Sequence, residues 1–198
     1  MDKFKNKYRI PSARLQSWNY GTNGSYFITV CTQNRVHFFG DIVNGAMQLN
    51  ALGQLAEKYW MEIPQHFPFV ELGNFVVMPN HTHGILIIDK TDIVLDDTSD
   101  AETRLIASLP QNEPNDMKTI GGFAGDRNPM FHDNISRIIR WYKGRCSFEM
   151  RKIHTDFGWQ SRFHDHIIRD AHSFEIIQNY IANNPLNWEK DKFGKNNV

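Results

Sequence analysis

The sequence predicts an α+β fold, an antiparallel sheet covered by helices. Three observations lead there. Four short runs are rich in β-branched and aromatic residues, as strands are. Three longer segments repeat apolar residues at three- and four-residue spacing, as helices do. The order along the chain is strand, helix, strand, strand, helix, strand, helix, which packs helices over a small sheet.

The first strand is Tyr26–Thr32, YFITVCT. Asn50 can cap a helix from Ala51 to about His66, with Leu52, Leu55, Tyr59 and Ile63 on one stripe. Pro64 is a reason for that helix to end early. Phe69–Met78 is a second strand, open to a break at Gly73. Pro79-Asn80 is a turn signal, and His81–Asp89 a third strand, so 69–89 forms a hairpin. Asp133 or Asn134 can cap a second helix running to about His154, with Ile135, Ile138, Ile139 and Tyr142 as its apolar stripe. Phe163–Arg169 is a fourth strand. Asp170 or Ser173 then starts a last helix that Pro185 stops after Asn184.

Between them, residues 90–131 change character. Pro110, Pro114, Pro129 and the Gly121-Gly122 pair interrupt the segment, and it is expected to be a mobile insertion with a short helix near 103–109. Charge follows the same division. Residues 1–14 carry Lys3, Lys5, Lys7, Arg9 and Arg14 against Asp2, a basic N-terminal arm within 1–24. Residues 89–116 hold eight acidic groups against Lys90 and Arg104, and 135–172 eight basic against four acidic. The total is zero, 22 against 22. A nucleic-acid partner must therefore be held by a local patch and not by bulk charge.

With 40% apolar residues in 198, the chain can build a core, and wholesale disorder is excluded. No apolar run approaches the ~20 residues of a membrane span. Cys31 and Cys146 form no CxxC, which argues against a disulfide framework or a cysteine zinc site. The N-terminus has no apolar signal segment, so a cytoplasmic setting is expected.

His81-Thr82-His83 puts two imidazoles on one face of a strand. Two adjacent ring nitrogens can hold a divalent metal; two strand histidines can equally be ordinary hydrogen-bonding residues. Tyr180 and Asn184 lie four apart on the last helix and share a face. A phenol can act as a covalent nucleophile, and an amide oxygen suits Mg²⁺ or Mn²⁺. Equally, Tyr180 can pack in the core and Asn184 can end the helix. Together the four residues form a coherent phosphoryl-transfer site, with a Lewis-acidic metal beside a tyrosine.

These residues lie in segments that resemble a known family. VVMPNHTHGILII (76–88) is similar to the His-hydrophobic-His, or HUH, segment of single-tyrosine transposases, and YIANNP (180–185) to their Tyr-Ile-x-x-Asn-Pro stretch. The wider 163–191 region, YFITVCTQNR (26–35) followed by Phe39-Gly40, and IIRWYKGRCSFEM (138–150) resemble the branch called REP-associated tyrosine transposases. The resemblance spans roughly 20–90 and 132–192. It implies a ferredoxin-like domain over 25–192 with a C-terminal catalytic helix and a tail at 193–198. Such proteins often work as homodimers and cleave and rejoin single-stranded DNA near hairpins through a 5′-phosphotyrosine. It also implies roles: Tyr180 as nucleophile, and His81, His83 and Asn184 as ligands of Mg²⁺ or Mn²⁺. Two departures are visible: Thr82 is less apolar than the usual HUH centre, and the insertion is longer than in compact relatives.

Further candidates compete for roles. Arg137, Arg140, Lys143, Arg145, Arg151 and Lys152 can track a DNA backbone or form a solvated face, and His164 and His166, a second HxH, can hold phosphate, orient the tyrosine or serve the structure alone. Trp141, Trp159 and Trp188 can stack on unpaired bases or pack in the core. Tyr142, beside Lys143, is a second candidate nucleophile. The rival readings are a domesticated protein that binds DNA hairpins without cleaving them, and an HxH hydrolase. The hydrolase needs a carboxylate near the metal, which 76–88 does not contain.

Overall fold

The computed structural model describes residues 18–91 and 133–191, with the backbone of two short paired strands, β1 (Lys3–Phe4) and β2 (Lys7–Tyr8). The expected insertion, the helix near 103–109, most of the N-terminal arm and the 193–198 tail lie outside the described residues.

The sheet is built from β3 (Gly24–Cys31), β6 (Val70–Met78), β7 (His81–Ile88) and β8 (His164–Ile168). Their order is β6-β7-β3-β8, and every neighbouring pair is antiparallel. This is the predicted α+β architecture. The first and third core strands pair in the centre, and the second and fourth form the edges. The pairing of β6 with β7 slips between Leu72 and Phe75, so Gly73 marks an irregularity inside a continuous strand rather than its end.

Strand alternation sorts side chains onto two faces. Tyr26, Ile28, Val30 and Leu86 point into the main core, where Trp60 of α1 (Ala51–Met61) and Ile138, Ile139 and Tyr142 of α3 (Ile135–Met150) cover them. The residues between them point the other way. Ile85 and Ile168 meet Ile181 of α4 (Ala171–Ala182), with Phe27, Val76 and Ile177 around them. The helices therefore lie on both sides: α1 and α3 on one face, α4 on the other. Gly84 permits the first packing. A Cβ there would lie 2.3 Å from the Trp60 ring, which itself stacks on Phe75 at 4.6 Å.

Helix starts follow side-chain caps. Asn50 Oδ1 accepts from the Leu52 and Gly53 amides, Asn134 Oδ1 from Ser136 and Arg137, and Asp170 Oδ1 from Ser173. Asn134 and Asp170 thus take the cap positions that the sequence left shared with Asp133 and Ser173. The predicted 51–66 helix is two helices, since Pro64 opens a separate turn, α2 (Ile63–His66). A hairpin of β4 (Gly40–Val43) and β5 (Ala46–Leu49) precedes α1 and was not expected. After α4 the chain does not stop at Pro185 but winds through a 3-10 segment, Pro185–Lys190.

Candidate active site

The site lies on the α4 face of the sheet. Register places Val76, His83, Thr29 and His164 in one row across all four strands, with His81 opposite Cys31 two rows on, on the same face. His81 and His83 project together toward α4 and are almost fully buried, with ring centroids 4.4 Å apart.

Each imidazole is oriented through Nδ1. Asn80 donates its Nδ2 to the Arg35 carbonyl at 3.2 Å, which turns its Oδ1 toward His81 Nδ1 at 2.8 Å. An amide oxygen only accepts, so in neutral His81 the proton sits on Nδ1 and the Nε2 lone pair is available. His83 Nδ1 meets Thr29 Oγ1 at 2.9 Å. Such outer partners fix ring orientation and tautomer at metal sites. Trp188, from the 3-10 segment, lies over His81 in a stacked arrangement at 6.0 Å.

α4 delivers the tyrosine. Tyr180 Oη is 3.2 Å from His83 Nε2. The side chain is 41% exposed, which leaves the phenol reachable from solvent. Burial of the rest of the group, and then the charge of Asp191, push its pKa up to about 12 from the ordinary 10. One helical turn on, Asn184 is 1% exposed and its Oδ1 is buried with no hydrogen-bond partner among the described residues. A buried amide oxygen without a donor costs roughly 1–3 kcal/mol. A cation would relieve that cost.

Sequence reasoning missed Asp191. Its Oδ2 accepts from Asn184 Nδ2 at 3.1 Å and from Tyr180 Oη at 3.4 Å. One ligand atom from each of His81, His83 and Asp191 falls within 4.8 Å of the others. The carboxylate that the HxH segment lacks is thus supplied 108 positions later, by the turn after the 3-10 segment. A local motif search cannot find it. The signal in the sequence is only an Asp following a Pro-started turn.

The other candidates divide. His164 and His166 are exposed on edge strand β8, opposite Thr29 and Phe27, and so share the face of His83. Arg137, Arg140, Lys143 and Arg145 lie on α3, across the sheet from this site. Arg137 is ion-paired to Asp133, and Arg145 to Glu149 at 3.6 Å. Tyr142 is fully buried under the sheet and donates to the Ala56 carbonyl at 3.1 Å. With no exposed surface its hydroxyl is out of reach of a DNA strand, and burial also raises its pKa well above the usual range. Trp141 packs against His66 and Phe67, away from the site.

No described helix is long and apolar enough to cross a membrane. No family model matches the chain. Its fold is similar to that of a solved REP-associated tyrosine transposase bound to a REP hairpin, at TM-score 0.51 and 19% identity over 89% of this chain and 73% of that one. A putative transposase from Deinococcus radiodurans R1 aligns more weakly, at TM-score 0.41 and 14% identity over 87% and 97%. An uncharacterized protein of Haemophilus influenzae is 38% identical over 184 residues, 91% of each chain. The chain therefore belongs to one family with that Haemophilus influenzae protein, and its fold is transposase-like.

Proposed function

We propose that the protein cleaves and rejoins single-stranded DNA near hairpins, in the manner of HUH transposases, with Tyr180 as the nucleophile. The observation that carries the reading is the convergence on one spot of the sheet of the Tyr180 phenol, two oriented imidazoles and a buried amide oxygen lacking a donor. A hairpin-binding protein without catalysis needs none of these.

The residues fit a hard divalent cation. His81 and His83 would hold it with Asn184 Oδ1, and Asp191 adds a carboxylate to the set. When bound, Mg²⁺ or Mn²⁺ supplies Lewis-acid stabilisation of charge on the phosphoryl oxygens. The protein's own residues do the rest. α4 holds the phenol beside the buried His83, with Oη 3.2 Å from the Nε2 that a cation would take, so the nucleophile lies next to the metal position before substrate arrives. Attack by Tyr180 Oη on phosphorus forms the P–O(Tyr) bond and breaks the P–O3′ bond, leaving a 3′-hydroxyl and a 5′-phosphotyrosine. Asp191 Oδ2, 3.4 Å from Oη, is placed to take the phenolic proton. Attack by a 3′-hydroxyl on the same phosphorus reverses the step and needs no external energy source. His164 and His166, on the same face toward the β8 edge, are suited to contact flanking phosphates.

Asp191 also favours a second reading, hydrolysis by a water activated beside the metal. One experiment separates the two. Labelled single strands from the gene's flanks are incubated with the protein and Mg²⁺ or Mn²⁺, then resolved under denaturing conditions. Strand transfer through Tyr180 leaves label covalently attached to protein, and hydrolysis leaves free cleaved strands only.

A further inference from the structure

Beside the catalytic face, the molecule carries a cationic groove. α3 and the residue that follows it form one wall, through Arg140, Lys143 and Arg151, and the segment leading into β8 forms the other, through Trp159 and Phe163. The groove encloses about 460 Å³ and is open to solvent along its length. Gly144 borders open space in it, since a Cβ there would meet no atom within 4 Å. Among the described residues, no acidic side chain lines it.

The charge on α3 is sorted. Arg137, Arg145 and Lys152 each face a carboxylate and are partly neutralised. The three groove cations have no carboxylate partner among the described residues. Lys143 Nζ donates to the Gln160 carbonyl, and Arg151 Nε donates to the Phe157 carbonyl at 3.0 Å. These neutral acceptors position the cations without cancelling them. In a chain with zero net charge, three uncompensated cations in one aromatic-walled groove are a local feature. Arg140 and Arg151 are eleven residues apart, or about 16 Å along a helix, so the three cations form a row rather than a point.

We propose that this groove binds a stretch of single-stranded nucleic acid, its phosphates along α3 and a base stacked on Phe163, beside Trp159, whose ring packs inward against Phe39, Tyr142 and Phe157. A single strand is favoured over a duplex because paired bases do not offer their faces to aromatic side chains. The inference rests on the DNA-processing reading above and adds a binding site on the far side of the β8 edge. The groove ends at Phe163, and the next residue, His164, lies on the catalytic face, so a strand leaving the groove reaches the site by crossing that edge.

The test uses the full chain carrying Tyr180→Phe in EDTA, so that no step depends on metal or on chemistry. Anisotropy of labelled oligothymidylate is measured against salt for two triple variants with the same loss of net charge. Arg140→Gln/Lys143→Gln/Arg151→Gln should make the slope of log affinity against log salt shallower by about 2 units, at ~0.7 for each phosphate no longer neutralised. Arg137→Gln/Arg145→Gln/Lys152→Gln should change it by less than half as much. Phe163→Ala should weaken oligothymidylate about fivefold or more, and leave an abasic strand of equal length unchanged. Equal slope changes in both triple variants would overturn the assignment. So would an abasic strand or polyglutamate that binds the parent chain as tightly as oligothymidylate. Failure of the groove leaves adduct formation by the Tyr180 chain intact, whereas failure of the adduct leaves this binding curve intact, so the two readings fall separately.

Discussion

Asn184→Leu separates the structural role of Asn184 from its role as a ligand. Leucine has nearly the same shape and no polar atoms. In the metal-free protein the change removes two opposed contributions. The bond from Nδ2 to the Asp191 carboxylate disappears, worth about 1.5–3 kcal/mol for a charged acceptor. The orphaned Oδ1 disappears as well, relieving roughly 1–3 kcal/mol. The net effect on metal-free stability should fall within about 2 kcal/mol of zero. The metal response should change far more. A ligand at a hundred times its dissociation constant stabilises by about 2.7 kcal/mol. In a domain of this size that corresponds to a Tm rise of about 5–11 °C. Differential scanning calorimetry with EDTA and with Mn²⁺ reads both quantities. The parent chain should show the rise and Asn184→Leu should lose most of it, with the metal-free Tm nearly unchanged. A variant that keeps the full rise refutes Asn184 as a ligand. A variant that loses more than about 3 kcal/mol without metal shows that the amide is there for the fold.

Other outcomes follow from the same geometry. His81→Ala/His83→Ala should abolish the Mn²⁺-induced rise, read in the same scans. Gly84→Ala should destabilise by about 1–3 kcal/mol or more, because its Cβ meets the Trp60 ring at 2.3 Å in a packed core; chemical denaturation should show it, and a neutral result would mean that Trp60 is free to move. Tyr180 should titrate near 12 in the metal-free protein, seen by NMR of labelled tyrosine, and its contribution to stability should hold below pH 10 and be lost as pH rises through 12. Asp191→Asn should bring that titration part of the way back toward 10, since burial, the larger cause, remains; an unchanged value would place the carboxylate away from the phenol.

Much of the fold is local information. The β-branched and aromatic runs, the Asn50 cap and the Pro79-Asn80 turn specify their elements without tertiary help, and all three appear where expected. The β4–β5 hairpin escaped because its strands, Gly40–Val43 and Ala46–Leu49, are too short to show a period. The site was half legible. HxH on a strand and Tyr-x-x-x-Asn on a helix fix which side chains share a face, and the sheet brings those faces together. Asp191 comes from a distant turn and Thr29 from another strand, and only the fold unites them with the histidines; Asn80 adjoins His81, but its orientation depends on the Arg35 carbonyl. The basic helix shows the opposite failure. Spacing grouped Arg137, Arg140, Lys143 and Arg145 as one patch, but ion pairs to Asp133 and Glu149 divide it.

The tyrosine assignment is tested most directly by the covalent adduct itself. The parent chain, Tyr180→Phe and Tyr142→Phe are each incubated with metal and a 5′-flank single strand labelled on the 3′ side of the cleavage position, then denatured and digested, and the labelled peptide is sequenced by mass spectrometry. The adduct should form in the parent and in Tyr142→Phe, map to the peptide containing Tyr180, and be absent from Tyr180→Phe, which still binds the strand. An adduct that persists in Tyr180→Phe, or cleavage by the parent with no protein-linked strand, would contradict Tyr180 as the nucleophile.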